Sequence, residues 1–169
     1  HFEQALTLDP RNGEVLIDAA RNYAMLRQFP AALKLYDRAL DIIPTDPYLT
    51  ETKARIYQAQ GNLKEAAKML VEVNAQTPSK SALVTKITQL RLEQNYTEAV
   101  RLVQARQAQF HFASEIEKGL NQLLLAWCQR DAGDAASAKV TAEQARNTLE
   151  PLYKDQQDNS VLAENLALL

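Results

Sequence analysis

The feature that most constrains this chain is a pattern that returns every 34 residues. Aromatic or apolar residues, small residues and prolines recur in register at Phe2, Tyr36 and Leu70, at Ala5, Ala39 and Val73, and at Pro10, Pro44 and Pro78. Tyr23 returns as Tyr57 and Ala32 as Ala66 at the same spacing. Because the apolar residues between these positions follow helical periodicity, each period holds two amphipathic helices joined by a turn. The pattern predicts an all-α chain of repeated helix pairs.

Turn and capping residues divide the chain into segments. Asn12 and Asp46-Pro47 are typical helix starts, whereas Gly61 and Gly133 are typical of tight turns between two helices. The predicted segments are a half repeat at 1–12, full repeats at 13–46 and 47–79, a degenerate repeat at 80–112, a long repeat at 113–157, and the first helix of a truncated repeat at 158–169.

Three local expectations go with this division. The second helix of the 47–79 repeat should run from Leu63 to Gln76. Arg106 stands where the regular repeats have a small residue such as Ala39, so we expect its side chain either to snorkel outward or to force two helices apart. Pro151 should kink or end the helix that contains it.

Composition narrows the possible functions. Hydrophobic residues make up 46% and charged residues 24% of the chain, as in folded proteins. A net charge of −2 gives no general attraction to phosphate backbones and argues against a nucleic-acid partner. No apolar run is long enough to span a membrane. The one cysteine, Cys128, is interpreted as a structural thiol, and a cytoplasmic location is favoured, with the periplasm left open.

The recurrence from Phe2 to Pro78 resembles the tetratricopeptide repeat family, and the likeness weakens towards Ala138. This resemblance implies a right-handed α-solenoid of antiparallel helix pairs, a TPR-like superhelix with a concave groove. It implies a protein-interaction module that binds a peptide or partner segment in that groove, as a fragment of a larger protein. Groove contacts in the family come from the first helix of each pair, which here gives Glu14, Ile17, Arg21, Met25, Tyr48, Glu51, Arg55, Gln58 and Arg91.

Two interpretations of the cations among these residues stay open. Arg21, Arg55 and Arg91 could form a ladder for carboxylate or phosphate groups, because guanidinium binds such groups as a bidentate fork. Alternatively they are simply solvated, with Glu51 pairing with Arg55 one helical turn away. Some family members grip a terminal carboxylate with a Lys and Asn clamp. That clamp is absent here, since Ile17 and Glu51 stand at the lysine positions and the arginines at the asparagine positions.

The apolar candidates also allow two interpretations. Met25, Tyr48 and Ile17 could form a patch for a partner helix, or they could pack between repeats.

Catalysis is not predicted. Apart from His111 the chain has only one histidine, His1, so no metal site is expected. No phosphate loop or nucleophile motif points to a cofactor or a reaction. The main alternative function is a structural or self-associating segment of a multidomain bacterial signalling or secretion protein. In that case apolar faces at Phe2 and Leu166 would drive homo-oligomerisation.

Overall fold

A computed structural model describes residues 2–169, with the side chains of residues 2, 3 and 5 outside the description. Over the described residues the chain forms ten α-helices and no strand. The helices are α1 Phe2–Leu8, α2 Gly13–Met25, α3 Phe29–Leu40, α4 Pro47–Ala59, α5 Leu63–Met69, α6 Lys80–Leu92, α7 Tyr96–Gln109, α8 Glu115–Asp131, α9 Ala135–Asp155 and α10 Ser160–Leu166.

Side-chain caps fix where half of these helices begin. Asn12, Asp46, Ser114, Asp134 and Asn159 each precede a helix and accept a hydrogen bond from a backbone N–H two or three residues further on. Such a cap satisfies a donor that the first turn of a helix leaves without a partner. Since these residues act on their immediate neighbours, the helix starts are readable from the sequence.

The turns inside the helix pairs share one backbone conformation. Gly61 and Gly133 adopt positive φ values of 73° and 84°, and Arg27 and Gln94 take the same left-handed conformation at 58° and 57°. In each turn the residue that follows donates its N–H to a carbonyl five positions back, as Gln28 does to Tyr23 at 2.8 Å. The fold thus keeps the turn geometry where the sequence lacks the glycine that best suits it.

The chain divides into two compact units, the first made of His1–Val73 and Ser79–Gln89. Its core is built from the helical stripes that the sequence predicts, and comprises Leu16, Ala20, Ala32, Tyr36, Ala39, Leu49 and Ile56. The fully buried alanines in this set let neighbouring helices approach closely, and the larger side chains fill the remaining space. The all-α class and the paired-helix construction are confirmed, whereas the repeat boundaries stay a prediction.

The predicted extent of α5 is wrong, because this helix ends at Met69 instead of Gln76. Beyond it, the side chain of Asn74 accepts a hydrogen bond from the N–H of Gln76 at 2.9 Å, and the Thr77 hydroxyl accepts one from the N–H of Asn74. Local side-chain bonds of this kind give the backbone an alternative to the helix.

The second unit comprises Asn74–Pro78 and Leu90–Leu169, and it contradicts the expectation for Arg106. This side chain is only 5% exposed. Its guanidinium donates to the carbonyl oxygens of Ala75 at 3.2 Å and Thr77 at 2.7 Å, and it lies 3.6 Å from the ring centre of Phe110. It therefore does not snorkel outward, but caps a non-helical segment from inside the protein.

The α8–α9 pair and α10 also belong to this unit. Gly119 of α8 lies against Leu149 of α9 so closely that a Cβ at this glycine would come within 2.5 Å of a Leu149 methyl carbon. Leu149 is buried together with Leu120 and Leu162 in the core of the pair and α10. Pro151 does not end α9, which continues to Asp155, and the last turn is held by residues packed on this core.

Candidate functional site: a cleft on the first unit

A cleft of about 460 Å³ opens among α2, α3 and α4 of the first unit. It brings together side chains from the end of α2, two residues of α3 and several residues along α4. The residues that line it are Arg21, Ala24, Met25, Phe29, Tyr36, Tyr48, Thr52, Arg55, Ile56 and Ala59. Its walls are mainly apolar, and two guanidinium and two phenol groups supply most of its polar chemistry.

Two large side chains at the cleft are exposed. Met25 is 78% and Tyr48 46% accessible to solvent. Methionine adapts its shape to different partners, and an exposed tyrosine offers a rigid apolar ring with a hydrogen-bonding end. Exposed side chains of these types are enriched where proteins bind one another.

Tyr36, by contrast, is completely buried in the cleft wall. Its hydroxyl has no hydrogen-bond partner among the described residues. Burial raises the pKa of Tyr36 to about 12, and the neighbouring Tyr48 adds to the rise, while the Arg21 and Arg55 charges oppose it. The hydroxyl is therefore a neutral donor at physiological pH with no acceptor in the part of the chain that the structure describes.

The two arginines of the cleft differ in their partners. Arg21 lies 3.3 Å from a carboxylate oxygen of Asp18, with both side chains about half exposed, and its pKa is raised chiefly by a hydrogen bond with Tyr48. Arg55 forms no ion pair with any described residue. Its guanidinium therefore lies at the cleft without a counter-ion.

Glu51 does not pair with Arg55, contrary to one of the two interpretations above. This carboxylate is 93% buried and accepts hydrogen bonds from the hydroxyls of Ser81 and Thr85 on α6. Gln58, which should also face the groove, instead donates to the Thr85 carbonyl at 3.0 Å. Both side chains are engaged in the seam between α4 and the first part of α6, so neither is open to a partner.

The remaining predicted groove residues lie elsewhere. Ile17 is half-buried and packs against the core of the first unit. Glu14 is exposed in the first turn of α2. Arg91 belongs to the second unit, where its Nε donates to Asp131 at 2.6 Å. The structure thus brings together Arg21 and Arg55 with Met25 and Tyr48.

Sequence reasoning placed Tyr36 only in the recurring series with Phe2 and Leu70 and missed its place in the cleft. The signal that could have identified it is its chemistry. Of the three residues in its series, Phe2 and Leu70 have no polar atom in the side chain, whereas Tyr36 has a hydroxyl. The hydroxyl of a buried tyrosine usually has a hydrogen-bond partner.

Cys128, in the second unit, has the properties of a structural thiol. Its side chain is 1% exposed, and burial raises the pKa of the thiol to about 11. A protonated, inaccessible thiol is a poor nucleophile, which confirms the interpretation from the sequence.

Neither a metal centre nor a membrane span is present in the described part of the chain. No three His, Cys, Asp or Glu side chains within residues 2–169 are grouped so that they could hold a metal ion. None of the helices described here combines the length and apolar character needed to cross a bilayer.

The fold and cleft define a class of protein, the helix-pair repeat proteins of the α-solenoid type. Solved structures support this class. The nearly identical TPR-like repeats of a Podosopora anserina protein described as a kinesin light chain have a TM-score of 0.69 at 24% identity, over 92% of this chain and 85% of that one. A tetratricopeptide repeat protein from Parabacteroides merdae has a TM-score of 0.65 at 17% identity, over 99% of this chain and 74% of that one.

The family follows from the sequence match. The tetratricopeptide repeat family model matches residues 1–56 and 26–90, which together span more than half of the chain. This chain therefore belongs to the tetratricopeptide repeat family, whose members generally act as protein-interaction modules. No curated protein is significantly similar to it in sequence.

Proposed function

We propose that this chain is a non-catalytic interaction module that binds a peptide segment of a partner protein in the cleft of the first unit. The observation that carries the proposal is the cleft itself, where exposed Met25 and Tyr48 adjoin apolar walls and arginines. Clefts with mainly apolar linings and a few polar groups are the usual places where proteins hold ligands. A cleft of about 460 Å³ lies within the range of volumes typical of ligand pockets.

A selection from a random dodecapeptide library displayed on phage, with the whole chain as bait, tests this proposal. Peptides that are enriched should bind the purified chain with affinities that fall about five- to tenfold in Met25→Ala and in Tyr48→Ala, because truncating a central contact costs about 1 kcal/mol or more. Val140→Ala, which truncates an exposed side chain of the second unit, is the matched control and should bind like the wild type.

The proposal fails if no peptide is enriched over bait-free beads, or if the cleft variants bind every enriched peptide as the wild type does. Sedimentation at several concentrations addresses the alternative of a self-associating segment. Leu166, one of the two predicted association faces, packs against the core of the second unit, and the Phe2 side chain lies outside the described residues. A monomer that binds peptide in a 1:1 ratio supports the interaction module, and a dimer with an unreactive cleft supports the alternative.

A further inference from the structure

Among the described residues, three buried side-chain atoms have no hydrogen-bond partner: Tyr36 Oη, Asn121 Oδ1 and Gln129 Oε1. The last two belong to amides and can only accept, whereas the Tyr36 hydroxyl can also donate. Only Tyr36 of the three belongs to the cleft of the first unit. An unsatisfied buried hydroxyl normally destabilises the folded state, so its place beside a binding cleft points to an acceptor that arrives with the ligand.

The charged groups around this hydroxyl indicate that the acceptor is an anion. Arg55 has no ion pair among the described residues. The Arg21–Asp18 pair is exposed, and exposed pairs of this kind hold their partners weakly. Both guanidinium groups are therefore free to turn towards an incoming anion, and charge-assisted hydrogen bonds to arginine are among the strongest that proteins form.

The apolar lining of the cleft favours one kind of anion over another as the ligand of the two arginines. Ala24, Phe29, Ile56 and Ala59 present apolar surface to the cleft, and moving charge into such surroundings is costly unless each charge is paired. A carboxylate carries a single charge and two oxygens, which one phenol and a guanidinium fork can satisfy. A phosphate ester carries about two charges and three oxygens, and moving two charges against these apolar walls costs more than moving the single charge of a carboxylate.

From these observations, and resting on the proposed function, we infer that the cleft recognises an acidic side chain, Asp or Glu, of a partner peptide. The Tyr36 hydroxyl donates to one carboxylate oxygen and the Arg21 and Arg55 guanidinium groups neutralise the charge. Because Tyr36 is fully buried in the free protein, neighbouring side chains of the cleft, among them the exposed Tyr48, have to move when the carboxylate enters.

The test uses the peptides selected above, with fluorescence anisotropy on the whole chain. Each Asp or Glu of a selected peptide is replaced in turn by Asn or Gln, and each peptide is titrated against wild type, Tyr36→Phe and Arg55→Gln. One acidic position should be shared by the selected peptides, and its neutral replacement should weaken binding to the wild type about tenfold. Tyr36→Phe and Arg55→Gln should each weaken the acidic peptide about fivefold or more.

Coupling separates this inference from a general charge effect. In the triple variant Arg21→Gln/Tyr36→Phe/Arg55→Gln the neutral replacement should change affinity less than twofold, because the three groups that recognise the carboxylate are gone. Arg101→Gln removes the same charge from the exposed face of α7 and should bind like the wild type. Thermal denaturation of each variant verifies that it is folded.

The possible negative results separate the carboxylate inference from the proposed function. If peptides bind and depend on Met25 but show no acidic preference, or if Tyr36→Phe and Arg55→Gln leave their affinity unchanged, the carboxylate inference is overturned and the interaction module stands. Tighter binding of a phosphoserine peptide than of the glutamate peptide would also overturn it. If no peptide is enriched at all, the proposed function itself is wrong.

Discussion

At the scale of the residue, four positions adopt the left-handed backbone conformation, and at two of them the side chain is unfavourable. Arg27 and Gln94 hold φ values of 58° and 57°, in a region where a non-glycine residue costs about 1–2 kcal/mol. The surrounding helix pair enforces this conformation, because the next N–H must reach back to close the preceding helix, as that of Asn95 reaches the Leu90 carbonyl at 2.8 Å.

Gln94→Gly should therefore raise the free energy of unfolding by about 0.5–1 kcal/mol, since relief of the strain outweighs the greater flexibility of glycine in the unfolded chain. Urea denaturation of the purified protein measures the change. Gln60→Gly is the matched control, because Gln60 lies at φ −87°, and it should lower stability instead. An equal loss in both variants would contradict the prediction.

Tyr36 gives the stability of the protein a dependence on alkaline pH. Its pKa in the folded protein is about 12, above the ordinary value of 10.0, so the folded state holds this proton more tightly than the unfolded state does. The contribution of this proton to the free energy of unfolding is therefore fully present below pH 10. It is lost as the pH rises towards 12, and its size is on the order of 2 kcal/mol.

The expected result is that Tyr36→Phe unfolds with a shallower pH dependence than the wild type between pH 10 and 12. At pH 7 the variant should be at least as stable, because it removes a buried hydroxyl that has no partner. Urea titrations at a series of pH values give both quantities. Parallel curves for the two proteins would show that the phenol ionises alike in the folded and unfolded states.

At the scale of the element, Arg106 organises the segment of the second unit that contains Ala75 and Thr77. Its two hydrogen bonds to carbonyl oxygens and its stacking on Phe110 replace the contacts that a continued helix would have made. Burial lowers the pKa of this guanidinium, with the nearby Glu117 opposing the change, so the group relies on those carbonyls for its solvation.

Arg106→Met, which keeps the length of the side chain but leaves both carbonyls without their donor, should lower the free energy of unfolding by about 2–3 kcal/mol. Arg101→Met on the same helix, at a side chain that is 73% exposed, should change it by less than about 0.5 kcal/mol. Thermal and urea denaturation of the two variants make the comparison. Similar stabilities would mean that the buried hydrogen bonds contribute little.

A second prediction at this scale concerns the approach of α8 to α9. Gly119→Ala places a methyl group 2.5 Å from a Leu149 carbon, and relief of that overlap requires the helices or Leu149 to move, at a cost of about 1–3 kcal/mol. Gly13→Ala is the control, since its added Cβ meets its nearest neighbour at 3.7 Å and alanine suits a helix better than glycine does. Calorimetric melting should show a lower transition only for Gly119→Ala.

At the scale of the whole molecule, the chain is a series of helix pairs, and each pair is too small to bury its own apolar faces. Stability in such arrays is approximately a sum over repeats and their neighbours, and local irregularities can therefore be tolerated. The short α5, the proline inside α9 and the arginine within α7 are irregularities of this kind. The proposed peptide site uses the first unit alone, where the 34-residue spacing is most regular.

The sequence by itself determined the class of fold, the helix starts and most of the core. These features depend on local signals, namely capping side chains such as Asn12 and Asp46 and the helical spacing of residues such as Leu16 and Ala20. A capping bond or a helical stripe involves residues within a few positions of each other, so a single sequence contains all the information needed to predict it.

Only the tertiary structure decided which polar side chains are open to a partner. Glu51 accepts hydrogen bonds from Ser81 and Thr85, about 30 residues away. Arg106 donates to the Ala75 carbonyl across a similar interval. The Tyr36 hydroxyl is buried without an acceptor among the described residues. Helical periodicity predicts the face on which a side chain lies, but its hydrogen-bond partner is set by which other helix packs against that face. That packing depends on contacts far apart in the chain, which local spacing does not specify.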